Sequence, residues 1–302
     1  MANHKSTHLF PLKMMHFQKL SPYIQLMRLD RPIGIYLVLW PALWALWLAA
    51  DGFPPWHILL IFVLGAILMR SAGCVINDYA DRDFDGHVAR TCQRPLATGA
   101  IKPKQALKLF ALLCLMSFGL VLLLNPLTVL MSCGALGLAA LYPFTKRLTH
   151  WPQAFLGAAF AWAVPMAFTA VQNQLPWQVW PLFAATLIWA LIYDTAYALV
   201  DKEDDLKIGI KSTAIGFGRY VNEVIGLFQL LMLGLLVWVG QLFALHWPYY
   251  LGLGLVAVGF FYHQHLLRKN DPQLAFQVFL QNHWLGVVIW LGIVLDKLFQ
   301  QP

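Results

Sequence analysis

Charge is what this chain has least of. Asp, Glu, Lys and Arg supply 12% of its 302 residues, against about 25% in soluble domains. That shortage excludes an ordinary soluble protein of this length. Cysteine is scarce as well. Cys74, Cys92, Cys114 and Cys133 show no CxxC or other metal-ligand spacing, which indicates reduced thiols rather than a disulfide scaffold or a zinc site. The opening stretch, MANHKSTHLFPLKMMHFQKLSPYIQLMRLDRP, lacks the compact apolar segment and small-residue cleavage site of a signal peptide.

What the chain has instead is apolar length. Hydrophobic residues make up 60% of it, with 13 Trp and 20 Phe. A helix needs about 20 apolar residues to cross ~30 Å of hydrocarbon. Nine runs approach that length: 33–50, 56–76, 105–124, 127–143, 153–171, 178–200, 222–241, 246–263 and 277–296. The expected fold is therefore all-α and polytopic. Nine transmembrane helices form one domain, 33–302, behind a cytoplasmic N-terminal segment, 1–32. Pro165 falls inside the fifth run and is expected to kink it. Trp40, Trp44, Trp47, Trp56, Trp151, Trp177 and Trp180 lie near run ends, where an interfacial aromatic belt is expected.

Lys and Arg set the orientation. They gather in 1–32, 77–104, 144–152, 201–221 and 264–276, while 51–55, 125–126, 172–177 and 242–245 have none, and Lys297 alone falls on that far side. The positive-inside rule makes the first set cytoplasmic. The net charge of +7 then reflects topology and a lipid surface, and calls for no nucleic acid.

The acids are placed more narrowly still. Nine of the 14 Asp and Glu residues occupy NDYADRDFD (77–85) and YDTAYALVDKEDD (193–205). Each stretch closes an apolar run, and four crossings separate them, so both face the same side. Asn77, Asp81 and Asp85 recur every fourth residue, as do Asp201 and Asp205, which on a helix defines one face. Like charges at this spacing repel, so a cation between them is expected. The donors are hard oxygens without a neighbouring His or Cys, a set that suits Mg²⁺. Mg²⁺ held by one or two carboxylates commonly shares its shell with a substrate's phosphates. Basic residues for a phosphate or diphosphate lie on the same side: Arg94, Lys146, Arg147 and Lys211. Arg70 and Asp194 lie about two turns deeper in their spans than the acidic motifs, and an ionisable group at that depth is a functional candidate.

Together these stretches resemble the UbiA superfamily of intramembrane prenyltransferases. Asn77-Asp78-x-x-Asp81-x-x-x-Asp85 is similar to its first aspartate motif, and Asp201-x-x-x-Asp205 to its second. RLDRPIG, GCVINDYADRDFDGHVARTCQRPLATG, LYPFTKR and YDTAYALVDKEDDLKIGIKSTA follow in order from about residue 20 onward. The resemblance implies nine spans around a central cavity under a cytoplasmic cap, in the inner membrane of a bacterium. It implies Mg²⁺-dependent transfer of a polyprenyl chain from a polyprenyl diphosphate to carbon 3 of 4-hydroxybenzoate. Asp81, Asp85, Asp201, Asp205 and Asp194 are the expected catalytic acids. Asn77 joins the first four as a metal ligand. Arg94, Lys146, Lys211 and Tyr142 are expected at the diphosphate, and Arg147 and Arg70 at the acceptor carboxylate. No obligate protein partner is expected. Two alternatives remain at this point: another acceptor, such as a naphthoate, homogentisate or a haem, or a membrane transporter.

Overall fold

The computed structural model describes residues 21–83, 85–87, 91–145 and 147–300. Among them all regular secondary structure is helical. The longer helices are α1 Ile33–Ala50, α2 Trp56–Asp81, α3 Pro103–Val121, α4 Pro126–Thr145, α5 Pro152–Ala161, α6 Ala163–Gln172, α7 Val179–Ile208, α8 Val221–Leu242, α9 Trp247–Leu267 and α10 Pro272–Gln300. Four of them (α3, α4, α5 and α10) begin on proline, whose fixed φ suits the first helical position and whose missing N–H costs nothing there.

Among the described residues, eight helical units are long and apolar enough to cross a membrane, with α5 and α6 counting as one. α9 has the length, at 21 residues, but is not among those eight. The protein is an integral membrane protein. Its many lipid-length apolar faces carry large exposed side chains such as Leu123, Leu130, Phe261 and Leu298, which hydrocarbon solvates and water would not.

Proline explains the broken unit. Pro165 cannot donate to the carbonyl four residues earlier, and its ring clashes there; that residue is Ala161, where α5 ends. The chain resumes as α6 from Ala163. Pro41 and Pro143 sit inside α1 and α4 without ending them.

The helices divide into a packed group and an outer pair. α7 packs on α5, α8 and α10, and α1 on α6 and α10. α3 and α4 are the least buried spans, 17% and 11% inside. The core between α1, α7 and α10 is aromatic, and it revises the expected belt. Trp44 is fully buried and Trp47 nearly so. Trp44 lies tilted against Trp189, ring centres 5.1 Å apart, and donates Nε1–H to the Gly286 carbonyl at 3.0 Å. A Cβ on Gly286 would stand 2.6 Å from Trp40 and 2.8 Å from Trp189, so glycine is what admits these rings. Their depth along the run looked interfacial; packing between helices claimed them first. Trp56, Trp151, Trp177 and Trp180 do remain exposed.

The end of the bundle away from the acidic motifs is knitted by polar contacts. Gln172 donates to the Ala49 carbonyl at 2.8 Å, and Asn125 to Thr169 at 2.6 Å. Lys297, the one basic residue expected on this side, is buried on α10 and paired with Asp51 at 2.6 Å. Asp51 follows α1 in the left-handed conformation (φ 52°), its N–H returned to the helix.

Candidate active site

A cavity of about 890 Å³ opens among α1, α2, α3, α4, α5, α6, α7 and α10. Its walls are mainly apolar, including Leu37, Ile61, Phe118, Leu156 and Phe279. Polar groups enter at two levels. Asn77, Asp78, Arg28 and Arg94 stand at one end, and Arg70, Tyr142 and Asp194 lie further along it.

The first level is built by the end of α2. Asn77 and Asp81 share a face, and Asn77 donates its amide N–H to Asp81 Oδ2 at 3.3 Å. Asp85 departs from the expected single stripe. α2 stops at Asp81, and Asp85 opens a separate 3₁₀ turn, Asp85–His87. A continued helix would have carried Asp85 on the face of Asn77 and Asp81, as the spacing led one to expect. Arg82 helps end it instead, donating to the Tyr79 carbonyl at 2.7 Å with its guanidinium over the Tyr79 ring. Thr91 holds the new turn by donating to the Asp85 carbonyl at 2.9 Å. Asp83 points outward, 68% exposed and beside Arg82.

Arg94 crosses from its loop to both acids. Its Nη1 lies 3.0 Å from Asp78 Oδ1 and 3.0–3.1 Å from the two oxygens of Asp85. Burial pushes the Asp85 carboxyl above the usual carboxylate range, while the Arg94 guanidinium pulls it down. Asp78 also takes Arg28, whose Nη2 donates to both carboxylate oxygens at 3.0 Å. Arg28 and Asp78 are the site residues that spacing missed. Arg28 sits 50 positions from its partner, in the N-terminal segment to which no site residue was assigned, and Asp78 falls off the four-residue register.

The second level is a charged pocket inside apolar walls. Arg70 has the Asp194 carboxylate and the Tyr142 and Tyr193 hydroxyls as electrostatic neighbours. Its guanidinium lies 5.9 Å from the Phe160 ring centre. Its Nε is buried without a hydrogen-bond acceptor among the described residues, while the residue faces the cavity.

The remaining expected residues stand apart from this lining. Arg147 donates Nη2–H to the Ala80 carbonyl at 2.6 Å, tying the chain after α4 to the last turn of α2. Lys211 reaches the Leu148 carbonyl at 3.3 Å. Asp201 and Asp205 are half-buried on the last turns of α7. That helix has 30 residues, about 45 Å of length, so its acidic end extends past ~30 Å of hydrocarbon. Lys146 lies outside the described residues. The loop after α7 is pinned where Thr195 and Thr213 hydroxyls meet at 2.7 Å and Gln153 accepts from Thr213 N–H at 3.0 Å.

Among the described residues no three His, Cys, Asp or Glu side chains cluster closely enough to cage a metal. The donors at the α2 end, one amide and carboxylates, fit a hard divalent cation that completes its shell with phosphate oxygens. Such a site can bind a diphosphate at the mouth of a dry cavity, with a buried cation deeper in for a second, anionic ligand.

Comparison with known proteins identifies the family and the fold. The model of the UbiA prenyltransferase family matches residues 38–286. A 4-hydroxybenzoate octaprenyltransferase of Hydrogenovibrio crunogenus is 68% identical over 94% of this chain and 100% of its own length. One from Azotobacter vinelandii is 58% identical, covering 91% and 93%. Among solved structures, a UbiA homologue from Aeropyrum pernix superposes with a TM-score of 0.77 at 23% identity, over 86% of this chain and 97% of that one. A UbiA homologue from Archaeoglobus fulgidus bound to GPP and Mg²⁺ gives 0.70 at 18% identity, over 90% and 99%.

Proposed function

This chain belongs to the UbiA prenyltransferase family, and from that premise we propose that it transfers a polyprenyl chain from a polyprenyl diphosphate to carbon 3 of 4-hydroxybenzoate. The observation that carries the reading is the two-level cavity: a diphosphate-type site of carboxylates and Arg94 at one end, and Arg70 among apolar walls deeper in. The octaprenyltransferase names of the relatives favour a donor of eight isoprene units.

Asn77, Asp81 and Asp85, with Asp201 and Asp205 from α7, would hold Mg²⁺. When bound, Mg²⁺ neutralises the charge that develops on the leaving diphosphate. Arg94 adds a directed cation to the same oxygens. Lys146, Lys211 and Tyr142 complete the proposed diphosphate set. The apolar walls exclude water from the allylic cation formed when the carbon–oxygen bond breaks. Carbon 3 of the ring attacks that cation, the new carbon–carbon bond forms, and a base takes up the ring proton as the diphosphate is released. Asp194, near the acceptor pocket, joins the catalytic acids of the proposal.

Arg70 and Arg147 are both acceptor candidates. Arg70 lines the cavity, has an unsatisfied buried Nε, and lies beside an aromatic face, which supports it as the carboxylate anchor. Arg147 is engaged with the Ala80 carbonyl and supports the α2 end. The proposed setting is the bacterial inner membrane, with nine spans counting α9 and with both acidic motifs cytoplasmic under a cap.

The test is direct. Purified protein in lipid, given Mg²⁺, octaprenyl diphosphate and a panel of aromatic acids, should yield 3-octaprenyl-4-hydroxybenzoate by product mass. Turnover of a naphthoate or homogentisate in preference to 4-hydroxybenzoate would reassign the acceptor. Ion or lipid flux without product would place the chain among transporters.

A further inference from the structure

The cavity mouth contains a chain of alternating charges that the reaction above uses only in part. It runs Arg28, Asp78, Arg94, Asp85. Arg28 comes from the segment before α1 and lines the cavity. It is 24% exposed, and Asp78 beneath it is 1% exposed. The backbone of Arg28 is left-handed (φ 56°), a conformation that costs a residue with a Cβ energy. The side chain offsets that cost at two points, donating to the Gln25 carbonyl at 2.9 Å and to both oxygens of Asp78 at 3.0 Å.

Arg94 is under competition. One guanidinium nitrogen carries two hydrogens, yet Nη1 of Arg94 lies within 3.1 Å of three carboxylate oxygens. A metal held at Asp85 would compete for two of those oxygens. Asp78 would then still direct Arg94. A buried carboxylate facing Arg94 alone would neutralise it and hold it back from a diphosphate. A carboxylate already neutralised by Arg28 directs Arg94 without cancelling its charge.

We propose that Arg28 is a positioning residue for the donor diphosphate, acting through Asp78 to leave the charge of Arg94 available at the cavity mouth. This inference rests on the prenyl-transfer reading and assigns the segment before α1 to the site.

The experiment uses the full chain in lipid nanodiscs with Mg²⁺. Its probe is geranyl S-thiolodiphosphate, a donor analogue whose carbon–sulfur bond resists ionisation. Calorimetry should give binding at least tenfold weaker for Arg28→Ala, with recovery of most of that loss in Arg28→Lys. The double variant Arg28→Ala, Asp78→Asn should bind tighter than Arg28→Ala alone, because the uncompensated acid is gone. In turnover, Arg28→Ala should raise KM for the donor and leave KM for 4-hydroxybenzoate unchanged. Unaltered analogue binding in Arg28→Ala overturns the proposal. So does a double variant no better than the single, or an equal loss for both substrates, which marks a structural role. If Arg28→Ala does not fold, Arg28→Gln takes its place, alone and combined with Asp78→Asn, and the same outcomes support or overturn the proposal. Failure of the unmodified chain to bind the analogue or form product would instead overturn the prenyl-transfer reading beneath it.

Discussion

Gly34 and Arg70 meet at the wall of the cavity, with no room for another atom between them. A Cβ on Gly34 would stand 2.2 Å from Arg70 Nε and 2.5 Å from Nη2. The glycine at the end of RLDRPIG therefore sets where the guanidinium lies. Gly34→Ala should push Arg70 off its position and raise KM for 4-hydroxybenzoate about tenfold, or ~1.4 kcal/mol, with donor KM changed less. Steady-state kinetics with each substrate varied in turn checks this. An unchanged acceptor KM would separate Gly34 from the acceptor site.

The two arginines proposed for the acceptor are distinguished by the same measurement. Arg70→Gln should raise the acceptor KM by at least tenfold, since a charge-assisted hydrogen bond contributes about 1.5–3 kcal/mol. Arg147→Gln should act on kcat and on protein stability, because Arg147 ties to the Ala80 carbonyl. The opposite pattern would exchange their roles.

Replacing Asp81 by Asn keeps the shape of the side chain and removes its charge. Product formation should fall by at least 10³-fold while the protein remains folded by size-exclusion chromatography. The same loss should follow EDTA and be reversed by Mg²⁺. Full turnover in excess chelator would remove the divalent cation from the mechanism.

The pair at the other end of the bundle should contribute stability rather than chemistry. Asp51→Ala leaves Lys297 buried without its carboxylate. The open side of the pair screens the loss, so the expected cost is about 1–2 kcal/mol. Lys297→Met in the same background should recover part of it. Thermal unfolding of the nanodisc-embedded protein reports both, and turnover at low temperature should be unchanged. An Asp51→Ala protein as stable as its parent would show that water already solvates the lysine.

The spans were legible in the sequence because lipid imposes one simple requirement, a long apolar run, and proline marked where the runs begin or break. Pro165 located the break between α5 and α6 for that reason. Orientation-neutral depth was harder to read. Trp44 and Trp47 have the composition of an interface and the packing of a core, and only the neighbours Trp189, Gly286 and Trp290 distinguish the two. Within the site, Asn77 and Asp81 followed from helical spacing, since both lie in one helix. Asp85 did not, because the helix ends before it. Arg28 stood in the RLDRPIG stretch, but its pairing left no signal: its partner is 50 residues away, and a long-range ion pair has no period to detect.

The contact between Lys297 and Asp51 joins the residue after the first span to the end of the last. With α1 packed on α10 and Phe276 and Phe279 of α10 in the lining, one wall of the cavity joins helices that lie far apart in the sequence. That wall is incomplete until α10 has been made. A nascent chain arrested before Pro272 should insert its earlier helices yet expose the α1 face, open to chaperone crosslinking and without donor binding. Release of the full-length chain should abolish that crosslinking, and its persistence would mean that closure does not depend on α10. Assembly of this reaction chamber then waits on α10, and damage to that helix would register as loss of the whole site.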